Sequence, residues 1–213
     1  MAGILDLLQG PMGQTLTSGA GKQLGMGEEK AGSALSAALP LILGAMKNNA
    51  STENGAAGLL KALGNDKHSS GGLLDNLGSI LGGGGIDEDV MQDGAGILGH
   101  VFGGKEENVA QAVSKSSGID MGQAMSILKV AGPFLMSFLG KQTREQGVSD
   151  QNGIGDLLGG MLGGGQKESQ SMINRLLDAD GDGSIIDDVA GMLLSGGDKK
   201  SGLGNLLGGL FGK

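Results

Sequence analysis

The chain has 213 residues, 46 of them glycine and none cysteine, and carries a formal net charge of −8. With two arginines and no tryptophan or tyrosine it lacks the basic surface and the stacking residues that nucleic-acid binding needs, and the missing cysteines exclude disulfides, thiolate zinc sites and a cysteine nucleophile. Valine and isoleucine total 18 residues and threonine four, while leucine, alanine and methionine are plentiful, so the composition predicts an all-α protein, a multihelical bundle.

In chain order, the first predicted element is a polar amphipathic helix over residues 14–24, ended by Gly25. Glycine there suits a helix C-terminus that turns through the left-handed region. A second helix is predicted to begin near Glu28 and to run into an apolar stretch, residues 34–46, interrupted by Pro40. Proline inside a helix costs about 3 kcal/mol, so a kink or a new helix starting at the proline is expected. A polar loop is predicted over residues 48–54. Farther on, residues 107–117 repeat the first helix and end at Gly118, a helix starts near Met121, Pro133 interrupts residues 127–139, and residues 142–152 read as a polar loop.

These parallels reflect an internal duplication. Sliding the chain by 93 residues aligns 4–47 on 97–140 without gaps and gives 10 identities in 44 positions. They include Lys22 with Lys115, Gly25 with Gly118, Ala31 with Ala124, Leu35 with Leu128 and Pro40 with Pro133. Two copies are too few for a solenoid, so two packed helical units sharing a core are expected.

A Leu/Gly element recurs three times. Ile154, Leu157, Leu158, Met161 and Leu162 share their spacing with Leu203, Leu206, Leu207, Leu210 and Phe211, and Leu73, Leu74, Leu77, Ile80 and Leu81 form a similar set. Such spacing places every apolar side chain on one helical face. Gly155, Gly159 and Gly163 lie beside that face and predict a ridge where another backbone comes close. Short Gly-rich helices need a partner, so packing within the chain is expected, and a homo-oligomer or a protein partner is the sharper expectation. Glycine runs at 82–85, 163–165 and 196–197 divide the chain into a first helical repeat (1–85), a second (86–165), an acidic region (166–197) and a Gly/Leu-rich tail (198–213).

The acidic region holds the strongest chemical signal. Asp178, Asp180 and Asp182 alternate, Gly183 follows for a sharp turn, Ser184 offers a carbonyl, and Ile185 anchors the loop. This is an EF-hand-like calcium loop, in which hard oxygen donors at alternate positions converge on one ion. The twelfth position, usually a bidentate glutamate, is Val189; Asp187 or Asp188 closes the shell instead. Ca²⁺ is the expected cofactor. His68 reads as solvated and His100, among apolar neighbours, as a partly buried helix residue; neither sits at catalytic spacing. Neither apolar run reads as a membrane-spanning helix, and no secretory signal is visible, so a cytoplasmic location is expected.

Residues 25–29 leading to 38–45, the stretch 94–104, and residues 177–184 followed by Asp187 and Asp188 together resemble the bacterial domain-of-unknown-function 937 family, related to the YidB-like proteins. The resemblance covers nearly the whole chain and implies a bacterial, multihelical protein with no established activity. His100 matches a position of the family's pattern, which supplies no role. The expected function is a non-enzymatic structural or interaction protein with a calcium-binding loop. A membrane-active amphipathic protein is the alternative, and a metal-dependent hydrolase a more distant one.

Overall fold

The structure is a computed structural model that describes residues 3–65 and 88–163, and every regular element among them is an α-helix. Eight helices follow in order: α1 Ile4–Gln9, α2 Pro11–Gln23, α3 Glu28–Asn49, α4 Glu53–Leu63, α5 Glu88–Phe102, α6 Glu106–Ser117, α7 Met121–Glu145 and α8 Gln151–Gly163. The expected all-α bundle is therefore what these residues form.

The helix starts follow local chemistry. The Asp6 carboxylate accepts the Gly3 N–H at 2.8 Å, and Pro11 sits in the first turn of α2, where a missing N–H costs nothing. Asp120 and Gln123 form a reciprocal capping box on α7. Thr52 Oγ1 accepts from Gly55 N at 3.1 Å and caps α4; Asp150 Oδ1 accepts from Gly153 N at 2.8 Å and does the same for α8.

Two corners are closed alike. Gly25 has φ +65° and Gly118 φ +66°, values that only glycine adopts without strain. Beyond each glycine the chain turns back to bond the preceding helix: Met26 N donates to Gly21 O at 2.9 Å, and Ile119 N to Ser114 O at 3.3 Å. Met26 and Ile119 are both buried, so each corner also carries an apolar clasp. The helices that follow begin at Glu28 and Met121, the positions the sequence predicts.

At the prolines the sequence predicts a kink or a new helix. Neither Pro40 nor Pro133 starts a new helix; α3 and α7 run continuously through them. Each proline deprives the carbonyl four residues earlier of its donor. At Pro40 that carbonyl belongs to Ser36, an exposed residue. At Pro133 it belongs to Lys129, and there α5 comes so close that a Cβ on Gly94 would overlap the Lys129 carbonyl oxygen, 1.9 Å away. Packing offsets the lost bond, because both prolines are buried together with most of the apolar residues of their helices. The connections are also shorter than predicted. Residues 50–52 join α3 to α4, and residues 146–150 join α7 to α8, because helix formation continues into polar residues at both C-termini.

The centre of the fold is the pair α3 and α7. Leu35, Leu39, Ile42 and Leu43 of α3, with Ile127, Leu128, Phe134, Leu135 and Leu139 of α7, are wholly removed from solvent. Helix α3 touches all seven other described helices, and α7 packs most extensively on α5 and α3. With 25 residues, α7 is long and apolar enough to cross a bilayer, which the two interrupted runs did not suggest. Two-thirds of its most apolar window (67%) is nevertheless buried inside the bundle, the pattern of a core helix.

Candidate functional site

A groove of about 1370 Å³ lies between α4 and α5. Its floor comes from the two central helices and the end of α5: Met46, Met136 and Val101, each no more than 9% exposed. Leu59 and Ala62 form the α4 wall, and Ile97 and His100 the α5 wall. Asp89 and Asp93 stand farther along α5, and Lys61 stands on α4. Asn48, Asn49, Ser51, Thr52 and Asn65 make a rim of amides and hydroxyls. An apolar floor with two methionines adapts to varied side chains, and a polar rim fixes orientation.

Asn49 ties the groove together. Its Nδ2 donates to the Val101 carbonyl at 3.0 Å and to the His100 carbonyl at 3.3 Å. The end of α3 thus satisfies two of the last carbonyls of α5, which no helical donor reaches. Nearby, Gln151 Nε2 donates to the Ser51 carbonyl at 2.8 Å and fixes the start of α8 to the α3–α4 connection.

Helices α4 and α8 carry the same pattern five residues farther apart than the 93-residue offset. Asn54-Gly55 and Leu59-Leu60 match Asn152-Gly153 and Leu157-Leu158. Their burial differs. Leu157 and Leu158 are 2% and 0% exposed, whereas Leu59 and Leu60 are only half-buried. Helix α8 lies against α3 and α4; on α4, Ala56 and Leu63 are buried and Leu59 borders the groove.

The candidate metal ligands Asp178, Asp180, Asp182, Ser184, Asp187 and Asp188 lie outside the described residues, as do His68 and the Leu/Gly sets at 73–81 and 203–211. Among the described residues no group of three or more His, Asp or Glu side chains is placed to hold a metal ion. His100 differs from expectation: it is exposed. The buried positions of α5 are Gly94, Leu98, Val101 and Phe102, a stripe that leaves His100 on the far side of the helix. Its Nδ1 pairs with the Gly96 carbonyl at 3.0 Å, and the ring lines the groove.

The third Leu/Gly set is α8, and its apolar residues Ile154, Leu157, Leu158 and Met161 are buried as the spacing requires. The close backbone approach expected at the glycine ridge is not seen at Gly155 or Gly159 among the described residues. Nothing lies within 4 Å of a Cβ placed on Gly155, and only the Lys47 side chain approaches one on Gly159. Close backbone approach occurs instead at Gly94. The repeated Asn-Gly and Leu-Leu pairs were the sequence signal for α4. The groove itself had none, because Asn49, Leu59 and Ile97 come from separate elements.

No curated protein sequence and no solved structure matches the chain. Residues 6–142 match the family described as bacterial protein of unknown function, DUF937, a span that holds α2 to α6 entire and both groove walls. The chain belongs to that family.

Proposed function

We propose that this chain is a non-enzymatic interaction protein whose α4–α5 groove receives the apolar face of an amphipathic helix from a protein partner. The groove carries this reading: an apolar floor, half-buried leucine and isoleucine on its walls, and a rim of amides. Leu59 supports it, since it is only half-buried where it lines the groove, whereas its counterpart Leu157 on α8 is covered. Binding of fluorescent amphipathic peptides with leucine at i, i+3, i+4 and i+7, followed by anisotropy, tests the reading. Ala62→Glu places a charge on the wall and weakens binding about tenfold or more, because a desolvated unpaired carboxylate costs well over 1.4 kcal/mol. Gln14→Glu, on exposed α2, leaves binding unchanged. Equal affinity of both variants rules the groove out.

Two further parts of the reading rest on sequence. The scaffold is a duplicated four-helix unit, α1–α4 and α5–α8. Its support is the 93-residue register of the corners at Gly25 and Gly118, of the bonds from Met26 and Ile119, and of the two buried prolines. The loop over residues 178–188 binds Ca²⁺ through Asp178, Asp180, Asp182, the Ser184 carbonyl and Asp187 or Asp188, supported by its spacing and by five carboxylates in eleven residues that repel one another without a cation.

A further inference from the structure

We infer that Asn54-Gly55, in the first turn of α4, is a modification site where the chain deamidates itself, at a rate set by the Thr52 cap. The chemistry needs only the chain and water. The Gly55 backbone nitrogen gives its proton to solvent base and attacks the side-chain carbonyl carbon of Asn54. The new bond closes a cyclic succinimide as the side-chain amide bond breaks and ammonia leaves. Water then opens the ring on one side or the other, leaving aspartate or isoaspartate at position 54. Glycine after asparagine eases the attack, because no Cβ shields the nitrogen.

The sequence places Asn-Gly at 54–55 and again at 152–153. Asn54 and Asn152 are both exposed, and each stands second in its helix. A helical backbone keeps the glycine nitrogen away from the asparagine side chain, so the first turn must open before the ring closes. The two turns are held differently. At α8 the Gly153 N–H donates to the Asp150 carboxylate at 2.8 Å, and Gln151 Nε2 ties the same turn to the Ser51 carbonyl at 2.8 Å. At α4 the Gly55 N–H donates to the neutral Thr52 hydroxyl at 3.1 Å. A bond to an ionised acceptor is roughly twice as strong as a neutral one, and the carboxylate also opposes loss of the N–H proton. The α4 turn therefore opens more often, by local fraying, and Asn54 is the reactive asparagine of the pair.

The product forms at a packed position. A Cβ on Gly55 would overlap the Asn49 carbonyl oxygen, and Thr52 Oγ1 donates to that same oxygen at 3.2 Å. Isoaspartate carries the main chain through its side-chain carbon and lengthens it between Thr52 and Gly55. That displaces Gly55 from Asn49, whose amide holds the end of α5. Aspartate keeps the backbone unchanged and adds a negative charge that a helix N-terminus favours. Only the isoaspartyl product loosens α4 from α3.

The full-length chain is aged in mildly alkaline buffer, and both sites are followed by peptide mapping with electron-transfer fragmentation, which separates aspartate from isoaspartate. Asn54 is expected to convert several-fold faster than Asn152 in the folded protein, and both at similar rates in concentrated urea. Thr52→Ala, in a chain that keeps its helical circular dichroism, raises the rate at Asn54 several-fold and leaves Asn152 unchanged; Asp150→Ala does the reverse. The isoaspartyl chain has a lower urea midpoint than Asn54→Asp. Equal rates at the two sites of the folded wild type overturn the inference, and that comparison requires no variant to fold. A rise in Thr52→Ala shared equally by Asn152 also overturns it, because global unfolding rather than an opened turn would then be the route. An isoaspartyl chain as stable as Asn54→Asp overturns the loosening of α4.

Discussion

Two buried residues, Gly94 on α5 and Ser137 on α7, show how small groups set the packing. Gly94 has no space for a methyl group: a Cβ would lie 1.9 Å from the Lys129 carbonyl oxygen and 2.8 Å from its Cα. Both obstacles are backbone, so α5 and α7 must separate to relieve them. Gly94→Ala is expected to destabilise the protein by about 3 kcal/mol, at the severe end of overpacking, measured as a fall in urea midpoint. Ser137 on α7 is the opposite case. It is wholly buried, and its hydroxyl has no hydrogen-bond partner among the described residues. Removing an unsatisfied buried hydroxyl relieves a desolvation penalty, so Ser137→Ala should leave stability unchanged or raise it by up to about 1 kcal/mol. A loss above about 1 kcal/mol in Ser137→Ala, or none in Gly94→Ala, contradicts this account of the core.

At the scale of the element, α4 and α8 share a pattern and differ in cover. Leu158 is fully buried and its truncation to alanine should cost about 3 kcal/mol, within the range for leucine in a core. Leu59, half-buried on the groove wall, should cost about 1 kcal/mol by the same denaturation measurement. Equal costs would mean that the α4 face is as covered as that of α8. The two glycine corners and the starts of α3 and α7 were legible in the sequence, because a left-handed turn selects glycine and leaves a local mark. At the prolines the sequence left both a kink and a new helix open. A lone sequence exposes the cost of the missing hydrogen bond, whereas burial on every side offsets that cost only in the folded chain. Helix α4 escaped notice because Ala56, Ala57 and Gly58 dilute its apolar periodicity, and the groove because its walls lie more than thirty residues apart in sequence.

Over the whole molecule, the described helices form one core around α3 and α7, and the chemistry of greatest interest in the sequence lies beyond it. The proposed calcium loop predicts a heat of binding on calorimetric titration of the intact chain, with calcium raised to about the millimolar range where weak sites fill. Asp180→Ala should abolish it. At a hundredfold excess over the dissociation constant, occupancy stabilises the folded form by about 2.7 kcal/mol, visible as a calcium-dependent rise in melting temperature. Equal heats from the wild type and from Asp180→Ala would place calcium elsewhere.

The central claim is that the α4–α5 groove holds a helix. It is tested most directly by incorporating a photoreactive benzoylphenylalanine at Ala62 in the full-length chain inside bacterial cells, irradiating, and mapping the adducts by mass spectrometry. The account predicts adducts on a polypeptide segment whose apolar residues recur at helical spacing, several-fold above those formed from the same group at exposed Gln14. Polypeptide adducts no more abundant from Ala62 than from Gln14, or adducts confined to lipid or small molecules, would contradict it.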